Sequence, residues 1–405
     1  MILVLLAMTW SLGDGTSERF EMARGIVAVC RPKRRRAGGT AAGFQKALCR
    51  LPMRPLVALA GALRGRLISL LGNDLLHGGF IPLGCDGSRL ECCRNDELIA
   101  RMGKAGKEGS SPTMWVTALV HLTTGVPWSW WLGRGNAGER DHLQRLLPTL
   151  PGKALVVADA GFDGYDLAVA ILDSGASFLI RMSSKTHLFV DKPRDPEGFR
   201  QGKVRYWPAR ARRAKLPPLE LRLIRVSRSR GKDPKRAIDV WPLTDVAADR
   251  MSVTQAASFY RLRWENEGLF RSYKGTLKKV RLTGRTVRSV HREAYGSLLA
   301  CQLLLAQGAW ALRGARDRAS TVAPCSPRQL LVEVRKELRA AMKRDRRESY
   351  RQRLARCERE RRARKSAKQK RAWPQRTPHK PPKPPRLLTM NDKQKALLSS
   401  LNAVA

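Results

Sequence analysis

From residue 79 onward the apolar residues leave helical spacing and fall into short runs separated by helical segments, and that alternation narrows the folds open to this chain. Phe80–Asp86 reads as a strand running into Gly87, and Met114–His121 and Val126–Leu132 flank Gly125 as the arms of a hairpin. Ala137–Leu150 is spaced as a helix. Ala154–Asp159 is a compact apolar run closed by Phe162-Asp163-Gly164, followed by helical Asp166–Ser174 and another strand over Ala176–Met182. This succession predicts a mixed α/β sheet covered by helices.

The flanking segments differ in texture. Residues 1–78 read as helical, with periodic pieces at Glu18–Val29 and Leu56–Leu71. The turn between them carries Lys33-Arg34-Arg35-Arg36, a cluster suited to DNA or simply to solvent. Residues 79–182 form the first part of a core, and 236–315 the second. Between them, residues 183–235 are rich in Lys, Arg and Pro, with strand-like pieces at Lys203–Trp207 and Leu219–Val226, and read as a β-rich insertion with a basic surface. The second part holds a strand at Ala237–Thr244, a helix capped near Ser252–Thr254 and a further helix at Arg288–Arg313. In residues 316–405 a basic helix follows Pro324, and Pro-rich Trp373–Arg386 reads as an extended, partly disordered tail.

The charge names a partner class. Seventy-eight Lys and Arg oppose 34 Asp and Glu, for a net charge of +44. Residues Arg335 to Arg386 contribute 22 basic and 5 acidic residues, so most of the excess lies elsewhere and is not a tail effect. A field of that size favours a polyanion, and nucleic acid is the natural one. Eight cysteines show no CxxC pairing, and Cys92-Cys93 after Cys85 has no second half-site for zinc, so reduced thiols in a cytosol are expected. The apolar opening Ile2–Met8 is short and lacks a basic flank, and no run reaches the roughly 18 apolar residues of a membrane span. The expectation is a cytoplasmic, nucleoid-associated protein with no membrane partner.

Chemistry concentrates between Tyr260 and Lys274. Tyr260, Arg263, Glu267 and Lys274 stand at offsets of three, seven and fourteen residues, within an arc of roughly 60° on a single helix. Phe259, Leu262, Leu269, Phe270, Tyr273 and Leu277 gather on a separate stripe for packing. One carboxylate between two cations and a phenol suits phosphates and a metal ion. Glu265 points about 160° away from Glu267, so helical phase selects Glu267. Two more carboxylates end strands: Asp86 in Cys-Asp-Gly-Ser-Arg and Asp159 in Val-Val-Ala-Asp-Ala-Gly-Phe. Either alone would be an ordinary turn or cap residue. With Glu267, three oxygen donors could converge to hold two Mg²⁺ ions for an in-line phosphoryl displacement. Asp163 and Asp166 read as turn and cap residues, Asp141 and His142 as exposed helix positions, and His187 as structural or solvated.

Across roughly residues 80–305 these motifs resemble the insertion-sequence DDE transposases marked by Tyr-x2-Arg-x3-Glu-x6-Lys, matched here by Tyr260, Arg263, Glu267 and Lys274. Asp86-Gly87-Ser88-Arg89 and Ala158-Asp159-Ala160-Gly161-Phe162 are similar to that family's two aspartate motifs. The resemblance implies a ribonuclease-H-like core with a β-rich insertion and a catalytic metal-ligand set of Asp86, Asp159 and Glu267. It implies that Asp86 bridges two Mg²⁺ ions, for which Mn²⁺ can substitute. Tyr260, Arg263 and Lys274 would clasp DNA phosphates, and Trp241 would stack on a flipped base, or else be a core tryptophan. The implied activity is binding of terminal inverted repeats and Mg²⁺-dependent cleavage and transfer to target DNA, by a homodimer in the DNA complex. A decayed or domesticated DNA-binding relative and a general Mg²⁺-dependent nuclease are the alternatives.

Overall fold

The computed structural model describes residues 1–13, 15–31, 38–103, 110–192, 198–228, 238–313, 324–343, 349–358 and 382–402. Four helices come first: α1 (Ile2–Trp10), α2 (Thr16–Cys30), α3 (Ala41–Arg50) and α4 (Arg54–Leu71). Then follow β1 (Ile81–Glu91), α5 (Asp96–Met102), β2 (Thr113–His121), β3 (Pro127–Arg134), α6 (Glu139–Leu146), β4 (Ala154–Ala158), α7 (Tyr165–Asp173) and β5 (Ser177–Arg181). The next stretch holds β6 (His187–Phe189), β7 (Gln201–Tyr206), α8 (Ala209–Arg213), β8 (Leu219–Ile224), β9 (Val226–Arg228), β10 (Ile238–Val240) and β11 (Pro242–Thr244). Last come α9 (Val253–Leu262), α10 (Glu265–Arg271), α11 (Val287–Arg313), α12 (Pro327–Lys343), α13 (Tyr350–Ala355), β12 (Arg386–Leu388) and α14 (Asp392–Asn402). The chain divides into two compact units. Unit 1 is Met1–His77, Leu83–Leu146 and Trp264–Glu360; unit 2 is Gly78–Pro82, Leu147–Arg263 and Arg361–Ala405.

In unit 1 the central element is α11, whose Leu298, Leu299, Leu304 and Leu305 are buried. The apolar opening of the chain is a core helix: Val4 to Trp10 of α1 are all buried. Gly296 lets Leu5 reach the α11 backbone, since a Cβ there would stand 2.7 Å from Leu5 Cγ. Trp10 Nε1 donates to Ala300 O at 3.3 Å, and Arg335 Nε to Trp10 O at 2.7 Å. The predicted hairpin forms, with β2 antiparallel to both β1 and β3 and Gly125 in a left-handed turn at φ 72°. At the end of β2, His121 is fully buried, with Nδ1 against Thr124 Oγ1 and Nε2 against Leu75 O. Contrary to the sequence reading, among the described residues two helices are long and apolar enough to cross a membrane, Arg54–Leu75 and Val287–Arg313. The second is the buried core helix of this unit, and α4 turns Leu56, Ala60, Leu67 and Leu71 inward.

Unit 2 is built on a mixed sheet in the order β12-β6-β7-β8-β11-β5-β4, with helices α7 and α9 packed on it. Strands β4 and β5 are parallel, as a strand–helix–strand crossover through α7 requires. The β-rich insertion does not form a layer of its own. Its β8 pairs antiparallel with β11, Leu223 opposite Leu243, so insertion and core share one sheet. The strand expected over Ala237–Thr244 is instead two strands, β10 pairing with β9 and β11 with β5. Met182 N donates to Trp241 O at the break between them. Residues 373–381 of the Pro-rich tail lie outside the described residues. Further along, β12 pairs in parallel with β6, and α14 follows.

Candidate active site

In unit 1 the candidate residues are Asp86, Glu267 and Lys274. Side chains at alternate positions of β1 share a face, so Gly84, Asp86 and Ser88 line up along it. Asn266 of α10 stands over Gly84, where a Cβ would come within 2.5 Å of its amide nitrogen, and Lys274 Nζ donates to Ser88 Oγ at 2.7 Å. Eight helical residues span about 12 Å, and four strand residues about 13 Å. The segment therefore runs alongside β1, and half-buried Asp86 lies between its two anchor points. Asp86 Oδ1 accepts from Gly87 N at 2.8 Å. Gly87 also makes room on the opposite face: a Cβ there would stand 2.7 Å from Trp115 Nε1 and collide with the carboxylate of Glu139.

Glu267 follows Asn266 directly and is half-buried; among the described residues it makes no hydrogen bond or ion pair. Asn266 itself is fully buried, with neither amide atom partnered. An unpaired buried amide costs about 1–3 kcal/mol, the kind of cost that concentrates at functional sites. Sequence reasoning passed over Asn266, although a poor helix former inside a helical pattern was a signal. Burial holds the Lys274 ammonium below the usual lysine range, with Glu91 opposing the shift.

The backbone around Lys274 corrects the expected single helix. Helix α9 ends at Leu262, where Arg263 N reaches back to Tyr260 O at 3.3 Å in a tightened turn, and α10 begins at Glu265. A π turn then spans Ser272–Thr276, with Leu277 N donating to Ser272 O. Helical phase does not run through these breaks, so the shared 60° arc is not a property of one helix. Tyr260 and Arg263 belong to unit 2, Glu267 and Lys274 to unit 1. The apolar stripe does hold, with Phe259, Leu269, Phe270, Tyr273 and Leu277 buried, and the Tyr273 hydroxyl is 2.6 Å from Ser297 Oγ.

In unit 2 the parallel register Ala158 opposite Ile180 sends Asp159 and Arg181 off neighbouring strand ends together. Crevices outside the carboxyl ends of parallel strands are where open α/β sheets bind ligands. Asp159 Oδ1 caps the 3₁₀ turn Ala160–Phe162 by accepting from Gly161 N at 2.8 Å. Tyr260 and Arg263 end α9 nearby, the guanidinium 5.5 Å from the ring centroid. Burial pushes the Tyr260 hydroxyl up; Arg263 and Arg181 pull it down, and Asp159 adds to the rise. Asp159, Arg181, Tyr260 and Arg263 thus share one electrostatic neighbourhood. Arg181 went unnoticed in the sequence because only strand pairing brings it there. Trp241, for which stacking on a flipped base and a place in the core were both open, is 3% exposed, between Phe199 at 6.2 Å and Arg225 at 5.6 Å, the core reading of the two. The break between β10 and β11 folds it into the core.

Mg²⁺ prefers carboxylate oxygens. Asp86 and Glu267 offer such donors in unit 1 and Asp159 in unit 2, and Glu267 is not committed elsewhere among the described residues. Among the described residues no three His, Cys, Asp or Glu side chains form a group that could hold a metal ion.

Residues 85–303 match the family model of the transposase DDE domain. The chain belongs to the DDE transposase family. This match takes in all the candidate residues; it does not distinguish the signature subgroup. No protein of curated function matches the chain. Among solved structures the chain resembles a piggyBac transposase, seen in a cryo-EM structure of its synaptic complex with hairpin DNA. The likeness has a TM-score of 0.39 at 13% identity and covers 65% of this chain and 53% of that one, so this chain spans about half its length.

Proposed function

We propose that this DDE transposase, of the Tyr-x2-Arg-x3-Glu-x6-Lys group, binds the ends of its own element, cleaves them in a Mg²⁺-dependent step and transfers the freed 3′-hydroxyl to target DNA. The observation that carries this reading is that one matched domain contains Asp86 in the middle of β1, where the strand runs on past the end expected from the sequence, Asp159 just beyond the end of β4, and an uncommitted Glu267 on the helix that tracks β1. Asp86, Asp159 and Glu267 would hold the metal ions. Those ions, when bound, lower the pKa of water and stabilise the attacking and leaving oxygens of an in-line displacement. Arg263 brings a planar fork suited to a phosphodiester, with Arg181 and the Tyr260 hydroxyl beside it. Lys274, held by Ser88 next to Asp86, brings a compact positive charge to the same strand. Positioning and charge are what phosphoryl transfer demands of a protein, since the chemistry itself needs little else. The net charge of +44 supports a long polyanionic partner and association with nucleoid DNA in the cytoplasm. Two ends must be joined, which calls for a homodimer in the DNA complex.

The test is cleavage of DNA carrying the element's inverted repeats beside unrelated DNA, with Mg²⁺ and with EDTA. End-specific nicking that needs metal and disappears in Glu267→Gln is the expected result. Equal cutting of both substrates would favour a general nuclease, and tight binding without cutting a decayed transposase.

A further inference from the structure

Four residues beyond Asp159, a second aspartate is used in a different way. Asp163 closes the 3₁₀ turn that Asp159 opens. An aspartate in such a turn ordinarily bonds its own backbone two residues on, as Asp159 does. The Asp163 carboxylate instead collects three hydroxyls from distant parts of unit 2. Oδ2 accepts from Thr186 Oγ1 and, at 3.5 Å, from Ser183 Oγ; Oδ1 accepts from the Tyr206 hydroxyl at 3.0 Å. The Ser183 and Thr186 hydroxyls are themselves 3.1 Å apart, so the cluster is closed. Hydrogen bonds to an ionised acceptor are roughly twice as strong as neutral ones.

The origin of these donors gives the cluster its meaning. Ser183 lies two residues beyond Arg181, on the segment leaving β5, whereas Asp163 lies on the turn leaving β4. Their link fastens together the two loops at the parallel strand ends that carry Asp159 and Arg181. Tyr206 ends β7, inside the β-rich insertion, and its ring meets Tyr165 edge-on at 6.0 Å just after the same turn. The Tyr165 hydroxyl donates to Pro217 O at 2.5 Å, a second tie from this turn to the insertion.

We propose that Asp163 is a positioning residue that sets the direction of the Asp159 carboxylate by fastening its turn to the Arg181 segment and, through Tyr206, to the insertion. The inference rests on the role proposed for Asp159. It makes the seating of the insertion part of the site's geometry, because losing the Tyr206 bond loosens the turn that Asp159 begins. Asp163 holds no metal in this scheme; it acts through the turn alone.

The test uses the full-length protein carrying Asp163→Asn, Thr186→Val, Thr186→Ser or Tyr206→Phe. In metal-free protein, hydrogen exchange at the Gly161 and Phe162 amides reports the turn, since both donate to Asp159. Asp163→Asn and Thr186→Val are expected to speed that exchange by about tenfold, one lost bond's worth, with Thr186→Ser restoring wild-type protection. End cleavage at saturating Mg²⁺ should fall about tenfold to a hundredfold, the cost of a small misplacement. DNA affinity in EDTA and the melting temperature should stay close to wild type. Unchanged exchange at Gly161 and Phe162 in both Asp163→Asn and Thr186→Val would overturn the proposal. So would a cleavage loss matched by an equal loss of DNA affinity or of melting temperature. If Glu267→Gln still cuts, the transposase reading fails, and the exchange measurement still judges Asp163.

Discussion

The segment that follows the signature hangs on one carboxylate, and replacing Glu293 should release it. Glu293 is 5% exposed on α11 and accepts four donors: Thr283 N at 2.8 Å, Gly284 N at 2.9 Å, Thr283 Oγ1 at 3.2 Å and Lys279 Nζ at 3.5 Å. Lys279 is itself only 8% exposed. Hydrogen bonds to a charged group contribute about 1.5–3 kcal/mol each and do not add, and breaking a buried pair by removing one partner costs about 3–5 kcal/mol. At 3.5 Å the ammonium is the weaker contact, so the two amides dominate. Glu293→Ala should therefore destabilise unit 1 by about 4 kcal/mol. Glu293→Gln, which keeps the shape and an acceptor oxygen, should cost about half of that. Urea unfolding followed by circular dichroism gives the total, and hydrogen exchange at Thr283 and Gly284 gives the local part. Adding Lys279→Met to Glu293→Ala should recover about 1–2 kcal/mol, because it removes the stranded charge. A Glu293→Ala protein within about 1 kcal/mol of wild type would refute the reasoning, as would a double variant no more stable than the single.

Three further expectations concern the cores and the site. Burial pushes the His121 imidazole down from 6.5 to about 4. The unfolded chain therefore binds the proton more readily, and stability present above pH 6.5 should be lost as pH falls toward 4, by about 3 kcal/mol at most; melting of wild type and His121→Gln across that window checks it, and parallel curves would count against it. Gly296→Val should cost at least about 1–3 kcal/mol, since its side chain must displace Leu5 of α1, and pairing it with Leu5→Ala should return part of the loss in the same melts. Trp241→Phe should leave affinity for element-end DNA within about twofold, while Trp241→Ala should destabilise unit 2 by about 3–5 kcal/mol; filter binding beside urea unfolding separates a core tryptophan from a DNA-stacking one.

Much of the architecture was legible before any coordinates. The β2–β3 hairpin around Gly125, the buried run Ala154–Ala158, helix α7 and strand β5 all follow from local periodicity and turn residues, which carry that information whatever the rest of the chain does. One error and one pairing that went unread have the same origin. Ala237–Thr244 looks like one strand, but its halves find different partners, β9 and β5. The Pro-rich stretch reads as ending at Arg386, and the strand Arg386–Leu388 that begins there, which the local pattern does not announce, pairs with β6, some 200 residues earlier. Neither partner leaves a trace in the local pattern.

The sequence by itself carried the charge that supports a polyanionic partner, spread well beyond the tail. It determined the motifs that match a DDE transposase domain, and the apolar stripe Phe259, Leu269, Phe270, Tyr273 and Leu277 that would be buried, though not the burial of Tyr260 and Arg263 beside it. Those are properties of composition and of short spacing, and they survive any packing. The tertiary structure decided what the spacing could not carry. It broke the signature helix at Arg263 and again in a π turn, and seated Asn266 on Gly84 and Lys274 on Ser88. It turned Trp241 inward, brought Arg181 beside Asp159 and gave Asp163 its three hydroxyls. The physical reason is common to all of these. A helical or strand period records which face of an element is apolar, whereas a polar side chain's partner is set by strand register and by where the next element crosses, and both are fixed only when the chain has closed on itself.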